Sequence, residues 1–246
     1  QISEEAKETI DASGHTVLPG CIDTQTHFRE PGSTDTEDLH SGSRAAIAGG
    51  ITSVFEMPNT NPPTSNKKEF QRKLDLAKNR MYCNYAFYFG ATADNADDLA
   101  SLKDLEGCCG IKLFAGSSTG NLLVAEEDDI DKVFQNSSKV VAVHSEDEAI
   151  LKVNKKLIKH GDVHTHPVWR SAECAISSTR RIVRIAEKYN KKAHVLHITT
   201  KEEIDFLSQH KGNITFEISP DHLTIYAPDC YDKLGTYDKM NTPLMD

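Results

Sequence analysis

Four apolar runs in this chain each carry a residue able to bind a metal ion. His27 closes the run that begins at Val17. Lys112 interrupts Gly110-Ile111-Lys112-Leu113-Phe114. His144 ends Val140-Val141-Ala142-Val143, and His197 follows Ala193-His194-Val195-Leu196. Short apolar runs of this kind read as strands. In parallel barrels, active sites gather at the C-terminal strand ends. Three histidines and one lysine would then meet at one mouth. One histidine closing one strand is usually a hydrogen-bonded rim residue. Three in register are harder to explain that way.

Lys112 is the sharpest of the four. A lysine is almost never fully buried unless paired, and burial lowers its pKa. It either snorkels to a rim or sits inside as a neutral amine. A neutral amine can add carbon dioxide to form a carbamate. That group is anionic and can bridge two cations. Zinc suits such a set of nitrogen and oxygen donors.

The segment Ile22-Asp23-Thr24-Gln25-Thr26-His27-Phe28-Arg29-Glu30-Pro31-Gly32 adds a second function to the mouth. Alternate strand residues point the same way, so Asp23, Gln25, His27 and Arg29 share a face. Gln25 stands in the middle of that face and is a poor metal ligand. The segment thus places a histidine, an arginine and an acid where a strand meets a loop.

These residues need a scaffold that brings strand ends together. Candidate strands are 17–23, 51–57, 84–90, 109–114, 139–144, 193–198 and 213–218. Candidate helices lie between them, at 36–48, 66–80, 95–104, 127–136, 146–160, 170–189 and 201–210. Ser145 with Glu148, and Thr200 with Glu203, fit the capping box. Ser65 is placed to cap the helix whose stripe is Phe70, Leu74 and Ala77. Gly49-Gly50 fits a helix C-terminus. The acidic run Glu126–Asp129 reads as a solvated first helical turn. Sustained strand–helix alternation indicates an α/β fold with a parallel sheet. Seven units are counted, where a closed (β/α)8 TIM-type barrel has eight. An open doubly wound sheet is the alternative, but its glycine-rich fingerprint is absent. Residues 1–16 fall outside the rhythm and read as the remnant of a small flanking β element. The barrel would occupy 17–246.

Composition narrows the function. The chain has 246 residues, 38% hydrophobic and 26% charged, with net charge -9. That balance argues against a general nucleic-acid or anionic-membrane surface. No apolar stretch approaches the roughly 20 residues of a membrane span, and no signal peptide is visible. Six cysteines without a Cys-x-x-Cys pair read as reduced residues of a cytoplasmic protein. Asn136-Ser137-Ser138 and Asn213-Ile214-Thr215 match the glycosylation pattern without a secretory context. His160, His164 and His166 have metal-like spacing, but they sit in a polar loop before Pro167 and not at a strand end.

Together, Asp23–Gly32, Glu56-Met57-Pro58-Asn59-Thr60, Gly110–Phe114, His144-Ser145-Glu146-Asp147 and Leu196-His197 resemble class I dihydroorotases of the amidohydrolase superfamily. Arg-Glu-Pro-Gly followed by Met-Pro-Asn-Thr is the specific part of the match. The resemblance implies a distorted (β/α)8 barrel with zinc at its mouth. It implies reversible cyclisation of N-carbamoyl-L-aspartate to L-dihydroorotate in pyrimidine biosynthesis. His27 would ligate the more buried metal. Carboxylated Lys112 would bridge to a second, held by His144 and His197. Arg29 and Asn59 would grip the substrate carboxylate, with Asn241 also contacting substrate. One or two zinc ions are expected, the second in doubt because Gln25 stands where the family has a His. The family's catalytic Asp would lie beyond Asp246, on a last barrel strand missing from this chain, so a longer protein is expected. Asp221 is not given that role. The resemblance also leaves open a homodimer and an association with aspartate transcarbamoylase. The competing readings are a non-catalytic scaffold for that partner, or an allantoinase- or hydantoinase-like cyclic-amide hydrolase.

Overall fold

The computed structural model describes residues 6–117 and 121–245. Seven strands form one sheet: β1 Cys21–Thr26, β2 Ile51–Glu56, β3 Asn84–Gly90, β4 Cys108–Phe114, β5 Val141–His144, β6 Ala193–Val195 and β7 Ile214–Phe216. All neighbours pair in parallel and in chain order. The sheet curls into an incomplete barrel, with β1 and β7 as its edges. A parallel pair needs a crossover, and helices supply most of them. They are α1 Leu39–Ala48, α2 Lys67–Ala77, α3 Glu127–Asn136, α4 Glu148–Asn154, α5 His166–Trp169, α6 Ala172–Lys188, α7 Lys201–Leu207, α8 Pro220–Thr224 and α9 Asp229–Leu234. The crossover expected as a helix at 95–104 is a 3₁₀ turn, Ala96–Leu102.

Strand alternation sorts the core into two layers. Ile111, Leu113, Val141, Val143 and Val195 join Phe70, Ile130, Phe134 and Ile182 in the main core between sheet and helices. Met57, Tyr88, Ala142 and Leu196 form a smaller cluster on the opposite, inner face. Lys112 stands beside Ala142 in the register. It therefore points inward.

Several local expectations need correction. The first strand begins at Cys21, not at residue 17. Its ladder starts with Cys21 against Ile51, and Val17 and Leu18 lie before the sheet and are exposed. Residues 6–16, the described part of the expected flanking β element, contain a turn and no strand. Asn66, not Ser65, caps α2, accepting from Glu69 N–H at 2.9 Å. The buried stripe of α2 is Phe70, Lys73 and Ala77, with Leu74 only half-buried. Ser145 does not cap α4. Asp147 does, accepting from Ala149 and Ile150, while the Ser145 hydroxyl meets Ser178 and Thr179. Thr200 does cap α7. Gly50 takes φ +86 after α1, a conformation cheap only for glycine. All six cysteines are free. Among the described residues, no helix is long and apolar enough to cross a membrane.

Candidate active site

Lys112 and His144 come from the adjacent strands β4 and β5, and His197 stands two residues past β6. Lys112 is 1% exposed, and its Nζ has no hydrogen-bond partner among the described residues. It lies 4.3 Å from the centre of the Phe114 ring. Burial pulls its pKa well below the ordinary lysine range. The amine is thus held toward its neutral form, as a carbamate precursor or a nitrogen ligand requires.

His144 is buried and held at both ring nitrogens. Nε2 lies 2.7 Å from Glu146 Oε2, and Nδ1 lies 3.1 Å from His197 Nε2. Arg170 pairs with the same Glu146 carboxylate, and its Nη2 donates to Ser117 O at 2.6 Å. A carboxylate that accepts one imidazole N–H fixes the tautomer and leaves the other nitrogen bare. Burial pushes His144 and His197 well below the usual histidine range, and Lys112 lowers both further. Two neutral imidazoles therefore turn nitrogens toward each other. Two ligands on one tetrahedral zinc, each about 2.0–2.1 Å from it, stand roughly 3.4 Å apart. The 3.1 Å separation is that of an N–H···N hydrogen bond and leaves the two rings close to the spacing that two such ligands would need. The His197 Nδ1 is buried with no hydrogen-bond partner among the described residues. His197 also has φ +40, and Arg29 has φ +61. Among the described residues, the other two non-glycine residues with positive φ are Asn79 and Asn190, and asparagine tolerates this region well. Strain carried by other residue types clusters at functional sites.

His27 follows β1 and is half-buried. Its Nδ1 lies 2.9 Å from Asn59 Oδ1. Nδ1–H donates, which leaves Nε2 as the bare nitrogen. Burial, then Arg29 and Lys112, lower its pKa to about 3. Lys112 is thus the electrostatic neighbour that His27, His144 and His197 share. Asn59 acquires an unforeseen contact here, since it orients His27. Among the described residues, no three His, Cys, Asp or Glu side chains form a ready metal-holding group. The donor set depends on Lys112.

A cavity of about 820 Å³ runs along β1 and the segment that follows β7, and of the proposed ligands His27 and His197 reach its wall. Gln25, His27, Arg29, His197, Asp221 and Asn241 are in its wall. Asp23 lines it too, but so do Ile22 and Thr24, so the cavity wall does not follow the alternation of β1. Lys112 and His144 are not among the wall residues, and Asn59 stands behind His27. Glu30 belongs to the same motif but has a different task. It accepts from Leu39 N–H at the start of α1 and from Arg80 at 2.7 Å. His160 and His164 stay apart from the cluster, whereas His166 is buried within electrostatic reach of Glu146 and Arg170. His164 faces Asp232, and His166 Nε2 donates to Met240 O at 2.8 Å.

Three contributors had no assigned role in the sequence reading. Glu146 follows His144 by two residues, and that spacing was its only signal. Arg170 arrives from the α5–α6 junction and had none. Glu217, just past β7, accepts from Thr24 of β1 and from His194 of β6 at 3.0 Å. It links the two edges of the sheet through the interior.

Residues 16–227 match the amidohydrolase family, and the chain belongs to that family. Among individual relatives, a dihydroorotase of Methanosarcina mazei is 34% identical over 96% of this chain and 54% of its own length. An allantoinase of Salmonella choleraesuis is 30% identical over 99% of this chain and 56% of its own. An L-hydantoinase (dihydropyrimidinase) from Arthrobacter aurescens superposes with a TM-score of 0.91 at 25% identity, over 99% of this chain and 56% of that one. The chain spans about half the length of the curated relatives it matches.

Proposed function

We propose that the protein is a zinc-dependent cyclic amidohydrolase of the dihydroorotase kind, interconverting N-carbamoyl-L-aspartate and L-dihydroorotate. One observation carries the reading. His144 and His197 meet at 3.1 Å with the buried Lys112 as their shared electrostatic neighbour, and His197 reaches a cavity whose wall also holds His27 and Arg29. His144, His197 and Lys112 would hold zinc, with His27 at the second position. When bound, zinc supplies Lewis acidity for the ring amide. The chain's own residues do the rest. Glu146, backed by Arg170, keeps the Nδ1 of His144 bare. Asn59 does the same for the Nε2 of His27. Arg29 offers its fork to the substrate carboxylate, and Asn241 meets the ring from the rim. Gln25 lines the wall where a second histidine would strengthen the His27 position, so that position is weakly held.

The allantoinase and hydantoinase relatives favour a second reading, a cyclic-amide hydrolase for rings without a carboxylate. Arg29 argues for the carboxylate. The test uses full-length protein, with zinc content and turnover of dihydroorotate, allantoin and hydantoin measured side by side. Dihydroorotate is expected to be the preferred substrate, with at least one zinc per chain. Zinc-loaded protein that turns over allantoin or hydantoin but not dihydroorotate would overturn the proposal.

A further inference from the structure

Lys73 lies on the apolar stripe of α2 and is 0% exposed, and its partner Glu56, the last residue of β2, is 1% exposed. Taking both charges out of water is expensive, and an apolar pair of similar volume often serves stability as well or better. Stability alone is therefore a weak reason for this pair. Its contacts give a stronger one. Lys73 Nζ donates to Met57 O at 2.8 Å, one residue before Pro58-Asn59. The Glu56 carboxylate accepts the backbone N–H of Phe28. Phe28 sits between His27 and Arg29. Its ring presses on Gly42 of α1, where an added Cβ would come within 2.4 Å of it. The β1–β2 contacts also fix Thr26, which stands opposite Glu56 and accepts from Met57 N–H at 2.9 Å.

We propose that Lys73 and Glu56 are positioning residues, a buried clamp that sets the two loops carrying His27, Arg29 and Asn59. The pair grips one backbone point in each loop. It anchors both to α2, which lies outside the barrel and touches no substrate. The inference rests on the roles given above to those three side chains.

The test compares full-length wild type with Lys73→Met and with the double variant Glu56→Leu/Lys73→Met. Lys73→Met alone strands a buried carboxylate and should melt well below wild type. The double variant removes both charges and should melt above the single one. In the double variant the KM for dihydroorotate should rise about tenfold or more, with a smaller change in kcat. Amide exchange in the peptide covering residues 26–31 should quicken about tenfold, while β4 and β5 keep wild-type rates. A double variant with wild-type KM and wild-type exchange at 26–31 would overturn the clamp. So would exchange that quickens equally in every strand, which marks a purely structural role. If wild type itself does not turn over dihydroorotate, the functional reading fails, and the exchange comparison alone decides the clamp.

Discussion

Arg29 combines a proposed binding role with an unfavourable backbone, and the two can be separated. Its φ is +61. A residue with a Cβ in that region is disfavoured by roughly 1–2 kcal/mol. Glycine escapes this, but its freer unfolded chain gives back about 0.5–1 kcal/mol. Arg29→Gly should therefore be more stable than Arg29→Ala by about 0.5–1 kcal/mol, or a melting temperature roughly 2 °C higher. Binding should respond differently. A bidentate guanidinium–carboxylate contact contributes about 3 kcal/mol after desolvation. Both variants should thus raise the KM for dihydroorotate roughly a hundredfold. Denaturant titration reads the first quantity and steady-state turnover by full-length protein reads the second. Unchanged KM in both variants would remove Arg29 from the substrate site. A glycine variant no more stable than the alanine one would refute the strain argument.

Glu146→Gln should weaken zinc binding about 10- to 100-fold, because the amide orients His144 less well, and competition with a chromophoric chelator measures it. Lys112→Met should abolish turnover yet stabilise the zinc-free protein at pH 7, as a chemical melt would show. The sign follows from the lysine pKa, which is lower folded than unfolded. The unfolded chain binds the extra proton, so zinc-free wild type should gain stability as pH rises from 7 toward the unfolded lysine value. The methionine variant should lack that gain. Gln25→His should raise zinc content toward two per chain by metal analysis, and a content unchanged from wild type would reject the weak-site account of Gln25.

What the sequence made legible follows a physical line. Strand and helix periodicity placed all seven strands and most crossovers, because burial on one or two faces writes directly into residue pattern. The ends were harder to place. Val17 and Leu18 are apolar but have no strand to pair with, so hydrophobicity alone misled. Ser145 has capping chemistry, yet α4 starts later and the hydroxyl is used across the core. Lys73 was invisible for the opposite reason. A lysine in a helix reads as surface until its distant partner, Glu56, is placed beneath it. The same limit hid Arg170, whose task exists only once Glu146 is beside it. Lys112, His144 and His197 were visible because each breaks or ends an apolar run. The 2.9 Å contact between His27 and Asn59 depends on three-dimensional placement and had no signature.

The proposed zinc-holding trio and the proposed carboxylate reader are carried differently. Lys112 and His144 lie within β4 and β5, and His197 is two residues past β6. Arg29 lies on the loop that follows β1. Ladder bonds lock strand residues in place, whereas a loop can change length and residue type without breaking a ladder. A change of ring preference on that loop would therefore leave the strand register beneath Lys112 and His144 intact.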